Sequence, residues 1–175
     1  MTTGQTILTI GAFMFLTTIL TNFYRIVAQT GDTITSGQDG ILATTVTTSY
    51  MEIAQGMAFD EVTDTSNVKL ANATTLTSPL ALHAEAGEDS LREFDDFDDF
   101  NGLTLEKSAT GSDKRYRTTF TVQYVNPANV ILYSSARTFV KRMDLKTWRV
   151  YPPAPAGTEL DTVRMSLVMG YFHFD

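Results

Sequence analysis

No charged side chain occurs in this chain before Arg25, and that constrains its fold more than any other feature. Between Ile7 and Leu20 the sequence is apolar on every face, interrupted only by Gly11 and by threonines whose hydroxyls can bond back to a carbonyl one turn earlier. At about 1.5 Å of rise per residue, a helix from Thr3 to Tyr24 just crosses a hydrocarbon layer of roughly 30 Å. Such a rod spans a membrane or sits in the apolar core of an assembly. A secretory signal would bring a basic first region and a small-residue cleavage site, and neither precedes Arg25. A buried helix of a soluble domain rarely starts its most apolar run at the terminus. A single-span anchor fits by length.

The 175 residues suffice for one domain of ordinary size beyond that helix. A net charge of −7 argues against a nucleic-acid groove as the main function. The basic clusters Lys114-Arg115-Tyr116-Arg117 and Lys141-Arg142 fall on strand-like segments and read as a solvated face. Without cysteine there is neither a disulfide framework nor a thiolate metal site. No second long apolar run follows, so at most one span is expected.

Past Arg25 the apolar positions Val27, Ile34, Ile41, Val46, Tyr50, Ile53 and Met57 form one stripe, which predicts an amphipathic helix continuing to about Asp60. Gly31, Gly37 and Gly40 each cost about 1 kcal/mol relative to alanine, and a break is expected between Thr30 and Gly40. A helix of nearly 60 residues would be about 90 Å long. A domain of this size cannot bury both ends, so the apolar half needs lipid or the equivalent rods of neighbouring subunits.

The stretch from Val62 to Glu93 carries loop signals, with Val68-Lys69-Leu70 and Leu80-Ala81-Leu82 as short strand candidates. Asn72-Ala73-Thr74 matches the N-glycosylation acceptor pattern, which makes Asn72 a candidate. Then comes Glu93-Phe94-Asp95-Asp96-Phe97-Asp98-Asp99-Phe100-Asn101-Gly102. Asp95, Asp96, Asp98 and Asp99 are candidate calcium ligands, since calcium takes hard oxygens. The EF-hand template fails on registration, because it puts Phe97 where the first aspartate must stand. The competing reading is an acidic loop whose Phe94, Phe97 and Phe100 pack inward while the aspartates face water, closed by a turn at Asn101-Gly102.

From Leu103 the pattern alternates with period two. Strands are expected at Leu103–Leu105, Tyr116–Val125, Val130–Tyr133, Thr138–Leu145, Trp148–Tyr151 and Asp161–Phe172, with Pro152-Pro153-Ala154-Pro155-Ala156-Gly157 as a stiff connector. The fold class is therefore α+β: a long N-terminal helix, apolar then amphipathic, packed on an antiparallel β-sheet. It divides into an apolar helix at 1–25, its amphipathic continuation at 26–61 and a β-rich head at 62–175.

A long helix, apolar then amphipathic, ahead of an antiparallel sheet resembles the type IV pilin superfamily, including the pseudopilins of type II secretion. The segment Phe94-Asp95-Asp96-Phe97-Asp98-Asp99-Phe100-Asn101-Gly102 is similar to one found in a subset of minor pilins, and Asp161-Thr162-Val163-Arg164-Met165-Ser166-Leu167 is similar to their closing strand. The resemblance implies a structural subunit, many copies of which polymerise into an extracellular filament on a prokaryotic cell surface. It also implies membrane embedding before assembly, and a pilus assembly machinery and a prepilin peptidase as partners. The implied assembly core is Met1, Gln5, Ile7, Leu8, Ile10, Gly11, Phe13, Met14, Phe15, Leu16, Ile19 and Leu20, with Gly4 and Gly11 permitting close backbone approach. Pilins usually carry a glutamate near the processed terminus. With Met1 as that terminus the position falls on Gln5, which accepts a hydrogen bond but supplies no charge. No basic leader precedes it, as expected of a mature chain.

No catalytic set stands out. His83 and His173 are the only histidines, and no G-x-S-x-G, H-E-x-x-H, P-loop or G-x-G-x-x-G sequence occurs. The expectation is a protein that is not an enzyme and needs no cofactor, with calcium as the one candidate ion. The alternative to a filament subunit is a monomeric membrane-anchored extracellular module that binds calcium or a surface ligand through the four aspartates.

Overall fold

The structure, a computed structural model, describes residues 2–64, 70–88, 90–153 and 162–172. Its first element, α1, runs Thr3–Gln55. The chain divides into two compact units, Met1–Asp39 and Gly40–Asp175.

In the first unit the helix satisfies its own polar groups. Thr17 Oγ1 donates to the Phe13 carbonyl at 2.8 Å, Thr18 Oγ1 to Met14 at 2.9 Å and Thr21 Oγ1 to Thr17 at 2.8 Å. With its hydroxyl turned onto the backbone, a threonine presents a methyl group outward. The helix also passes through Gly31, Gly37 and Gly40 without the expected break. Restarting a helix needs a second nucleation, unfavourable by a factor of about 10³ or roughly 4 kcal/mol. That exceeds the roughly 3 kcal/mol penalty of three glycines.

The second unit opens with the last turns of α1, which end at Gln55 rather than near Asp60. Gly56 N–H donates to the Ile53 carbonyl (3.0 Å) and Met57 N–H to Ala54 (3.3 Å), tightening the final turn, and Ala58 N–H is captured by the Asp95 carbonyl at 2.9 Å. That capture pairs Ala58 with Asp96 in an isolated parallel bridge and ends the helix. The inward face of these turns is Ala43, Val46, Thr47, Tyr50 and Ala54, whereas Ile41 and Ile53 point outward. Ala43 and Ala54 are buried where Ile41 and Ile53 are not, so the buried stripe is rotated from the one expected.

Among the described residues, five strands follow the short helix α2 (Glu61–Asp64) and two 3₁₀ turns at Ala73–Thr75 and Asp98–Phe100. They are β1 (Thr104–Ser108), β2 (Arg115–Asn126), β3 (Asn129–Tyr133), β4 (Val140–Tyr151) and β5 (Thr162–Gly170). The sheet is antiparallel throughout, in the order β1-β2-β4-β5, with β3 pairing the end of β2. The two strands expected at Thr138–Leu145 and Trp148–Tyr151 are one, because Lys146 and Thr147 continue the ladder opposite Thr119 and Thr118. Leu80–Leu82 forms no strand. Met1, Val68 and Lys69, most of the proline-rich connector, Asp161 and His173 lie outside the described residues.

Alternation places Tyr116, Thr118, Phe120, Val122 and Tyr124 of β2 and Lys141, Met143, Leu145 and Thr147 of β4 on the inner face. Tyr116, Phe120, Val122, Met143 and Leu145 pack with α1 and with Phe94, Phe97 and Phe100 into one core, while Tyr124 joins Phe59, Leu76 and Leu82 in a second. Tyr50 meets Phe120 edge to face at 5.3 Å, and Phe100 lies between Phe94 and Phe120 at 5.5 and 5.4 Å. Buried hydroxyls are chained: Thr47 Oγ1 lies 2.8 Å from Thr147 Oγ1, which in turn sits 2.9 Å from Thr118 Oγ1.

Candidate functional site

Two surfaces carry the candidate residues. The first is the apolar part of α1. Ile7, Leu8, Ile10, Phe13, Met14, Phe15, Leu16, Ile19 and Leu20 are each 47% to 75% exposed, so the chain leaves its most hydrophobic segment without a cover of its own. It is long and apolar enough to cross a membrane. A Cβ added at Gly4 or Gly11 would meet nothing within 4 Å, so neither glycine is required by packing inside the chain. Gln5 has a local role: its Oε1 accepts from Thr2 N–H at 3.2 Å. In that position it closes the first turn of the helix, as the third residue of a capping box does.

The second is the segment Phe94–Phe100. Its three phenylalanines are buried as expected, but Asp96, Asp98 and Asp99 do not face water and are at most 2% exposed. The reason is that the segment coils around its own backbone amides. Asp96 Oδ1 accepts from Asp98 N–H (2.7 Å) and Asp99 N–H (3.3 Å), and Asp99 Oδ2 accepts from Asp95 N–H (3.0 Å) and Asp96 N–H (3.1 Å). Asn101 pins the following turn, donating to the Leu82 carbonyl at 2.7 Å and accepting from Val122 N–H at 2.8 Å. Gly102 adopts φ +80, a left-handed conformation that favours glycine.

Asp98 leaves the expected calcium set because its Oδ1 is ion-paired with Lys141 Nζ. Lys141 was assigned to a solvated face and is instead wholly buried. Its Nζ also pairs with Asp60 Oδ2 at 2.8 Å and donates to the Phe59 carbonyl at 2.8 Å, lying 4.8 Å above the Phe59 ring centre. Asp60 further accepts from Thr77 N–H at 3.0 Å and from Tyr124 O–H at 3.2 Å. One lysine thus serves two buried carboxylates, an arrangement that ties α2, the 77 loop, the acidic segment and β4 together. Burial pushes Asp98 up to about 8 against the pull of Lys141, with the neighbouring carboxylates of Asp96 and Asp60 adding to the rise.

The remaining carboxylates converge elsewhere. Glu85 and Glu88 flank a turn in which Glu88 N–H donates to the Glu85 carbonyl (3.2 Å) and Glu85 N–H to Glu88 Oε2 (3.0 Å). Gly87 at φ +112 makes this turn. One carboxylate oxygen each from Glu85, Glu88 and Asp99 lie within 4.8 Å of one another. Burial, the hydrogen bond with Glu88 and the charges of Asp96 and Asp99 push Glu85 up to about 8, and burial pushes Asp99 up to about 6. Glu85 and Glu88 lie in the stretch from Val62 to Glu93 that carries loop signals in the sequence.

Asn72 is exposed, and its Oδ1 accepts from Thr74 N–H (3.1 Å) and from the Thr74 hydroxyl. His83 is exposed beside the Ala84 carbonyl. No family model matches the chain, and neither a curated protein nor a solved structure matches it.

Proposed function

We propose that this chain is the structural subunit of a helical surface filament of the type IV pilin kind, held in a membrane by the apolar part of α1 until it assembles. The observation that carries this reading is the exposure of every large apolar side chain from Ile7 to Leu20. Transfer of that rod from lipid into a bundle of identical rods exchanges one apolar setting for another, so it costs little hydrophobic free energy and is decided by close packing. Gly4, Gly11 and the back-bonded threonines supply the small surface such packing uses.

The test is electron microscopy and pelleting of material sheared from cells that make the chain. Ile10→Asp is expected to abolish filaments, with the head still folded. Because a central aspartate also costs about 3 kcal/mol in lipid, Gly11→Leu is the cleaner variant. It leaves membrane insertion intact and blocks backbone approach. Filaments that persist in both variants refute a packed helical core. The second reading, a single anchored module, is favoured by the same exposed segment being of membrane-spanning length. It predicts a chain that stays in the membrane fraction as a monomer and never pellets as filaments.

A further inference from the structure

We propose that Glu85, Glu88 and Asp99 form a divalent-cation site of the calcium class, which staples the turn at Gly87 to the acidic segment. Three observations beyond the clustering of acids carry it. Asp99 is 2% exposed and its two oxygens are used differently: Oδ2 takes the amides of Asp95 and Asp96, while the buried Oδ1 has no hydrogen-bond partner. Among the described residues Glu85 Oε2 is likewise buried with no hydrogen-bond partner, although the Glu85 carboxyl shares a hydrogen bond with Glu88, and Asp96 Oδ2 in the same segment is also without one. A buried acceptor without a donor costs about 1–3 kcal/mol, more when charged, and a cation is the one ligand that satisfies several carboxylates at once.

The geometry fits the ion. Three oxygens whose mutual separations do not exceed 4.8 Å can close onto one centre at a calcium–oxygen distance of roughly 2.3–2.6 Å with at most a few tenths of an ångström of side-chain movement. The donors are all hard carboxylate oxygens and the chain has no cysteine, which disfavours softer metals. Cation binding would join residues 85–88 to 95–99, and through the Asp95 carbonyl to Ala58, three residues past the end of α1.

Equilibrium dialysis of the full chain in detergent micelles against radioactive calcium tests this, with thermal unfolding in calcium and in chelator alongside. One ion per chain is expected, together with a higher unfolding temperature in calcium. Glu85→Gln combined with Glu88→Gln should weaken binding by more than about tenfold, because affinity follows the count of charged ligands. These two residues sit on a turn and are preferred to Asp99→Asn, which would also disturb two amide hydrogen bonds. The proposal is overturned if the unaltered chain binds no calcium, or if the double variant binds it as tightly.

Discussion

Lys141 and Arg142 are neighbours on β4, and the strand turns them to opposite faces of the sheet. Lys141 is enclosed with Asp60 and Asp98. Arg142 lies on the outer face, where its Nη2 meets Asp144 Oδ2 at 2.9 Å and its guanidinium stacks 4.4 Å from the Tyr133 ring centre. Both are ion pairs of ordinary chemistry, yet water screens one and not the other. A buried pair is worth little net when intact but is very costly to halve, while a pair with partial access to water, such as Arg142–Asp144, loses less when halved because solvent can reach the group left behind. The comparison separates groups that hold the head together from groups that merely decorate it.

The largest effect expected is that of Lys141→Ala. It strands two buried carboxylates and should destabilise the head by about 3–5 kcal/mol, read from urea unfolding. Adding Asp60→Asn and Asp98→Asn to Lys141→Met should recover a substantial part of that loss, since it removes the charge while keeping acceptors for Thr77 and Tyr124. If Lys141→Ala proves no worse than a surface substitution, the two faces do not differ as argued.

An intermediate effect belongs to the uncharged polar chain on the same inner face. Thr147→Val keeps the shape and removes the hydroxyl shared by Thr47 and Thr118. Thr47 retains its bond to the Ala43 carbonyl at 2.8 Å, so the loss should be about 1–2 kcal/mol. A double-mutant cycle with Thr47→Val tests whether the hydroxyls couple. Additive losses would mean the chain of contacts carries no energy of its own.

Much of this was legible in the residues, and one misreading is instructive. The alternation that gave β2 and β4 also fixes parity: Met143, Leu145 and Thr147 point inward, so Lys141 must as well. Basic character suggested water, but period two decides the face. What parity could not supply is the partner, because Asp60 is 81 positions away and meets Lys141 only after α1 has ended and the chain has turned. The phenylalanine spacing in the acidic segment was readable for the same reason that the aspartates were not. Apolar burial needs only a surface, whereas a buried carboxylate needs particular amides, here those of residues 95, 96, 98 and 99. Glu85 and Glu88 had a signal in the Glu-Ala-Gly-Glu turn, but their meeting with Asp99 is a tertiary event. The continuity of α1 through its glycines was missed because a local penalty was weighed without the cost of starting the helix again.

The smallest effect sharpens the comparison from the outer face. Although partial burial opposes it, hydrogen bonds from Ser166 (2.5 Å), Tyr133 (2.6 Å) and Arg142 hold the Asp144 carboxyl below its ordinary value. A carboxyl that is more acidic when folded stabilises the fold above its unfolded value, near 3.9, and loses that contribution as pH falls through the lowered folded value. Asp144→Asn should therefore cost less than about 1 kcal/mol at neutral pH, and the gap between variant and parent should close in acid below the ordinary carboxylate range. Salt should shrink the gap at neutral pH, because these groups are within reach of screening ions. The same salt series on Lys141→Ala should leave its much larger loss nearly unchanged. If salt erodes both losses equally, the enclosure of Lys141 is open to water in solution and the distinction between the faces fails.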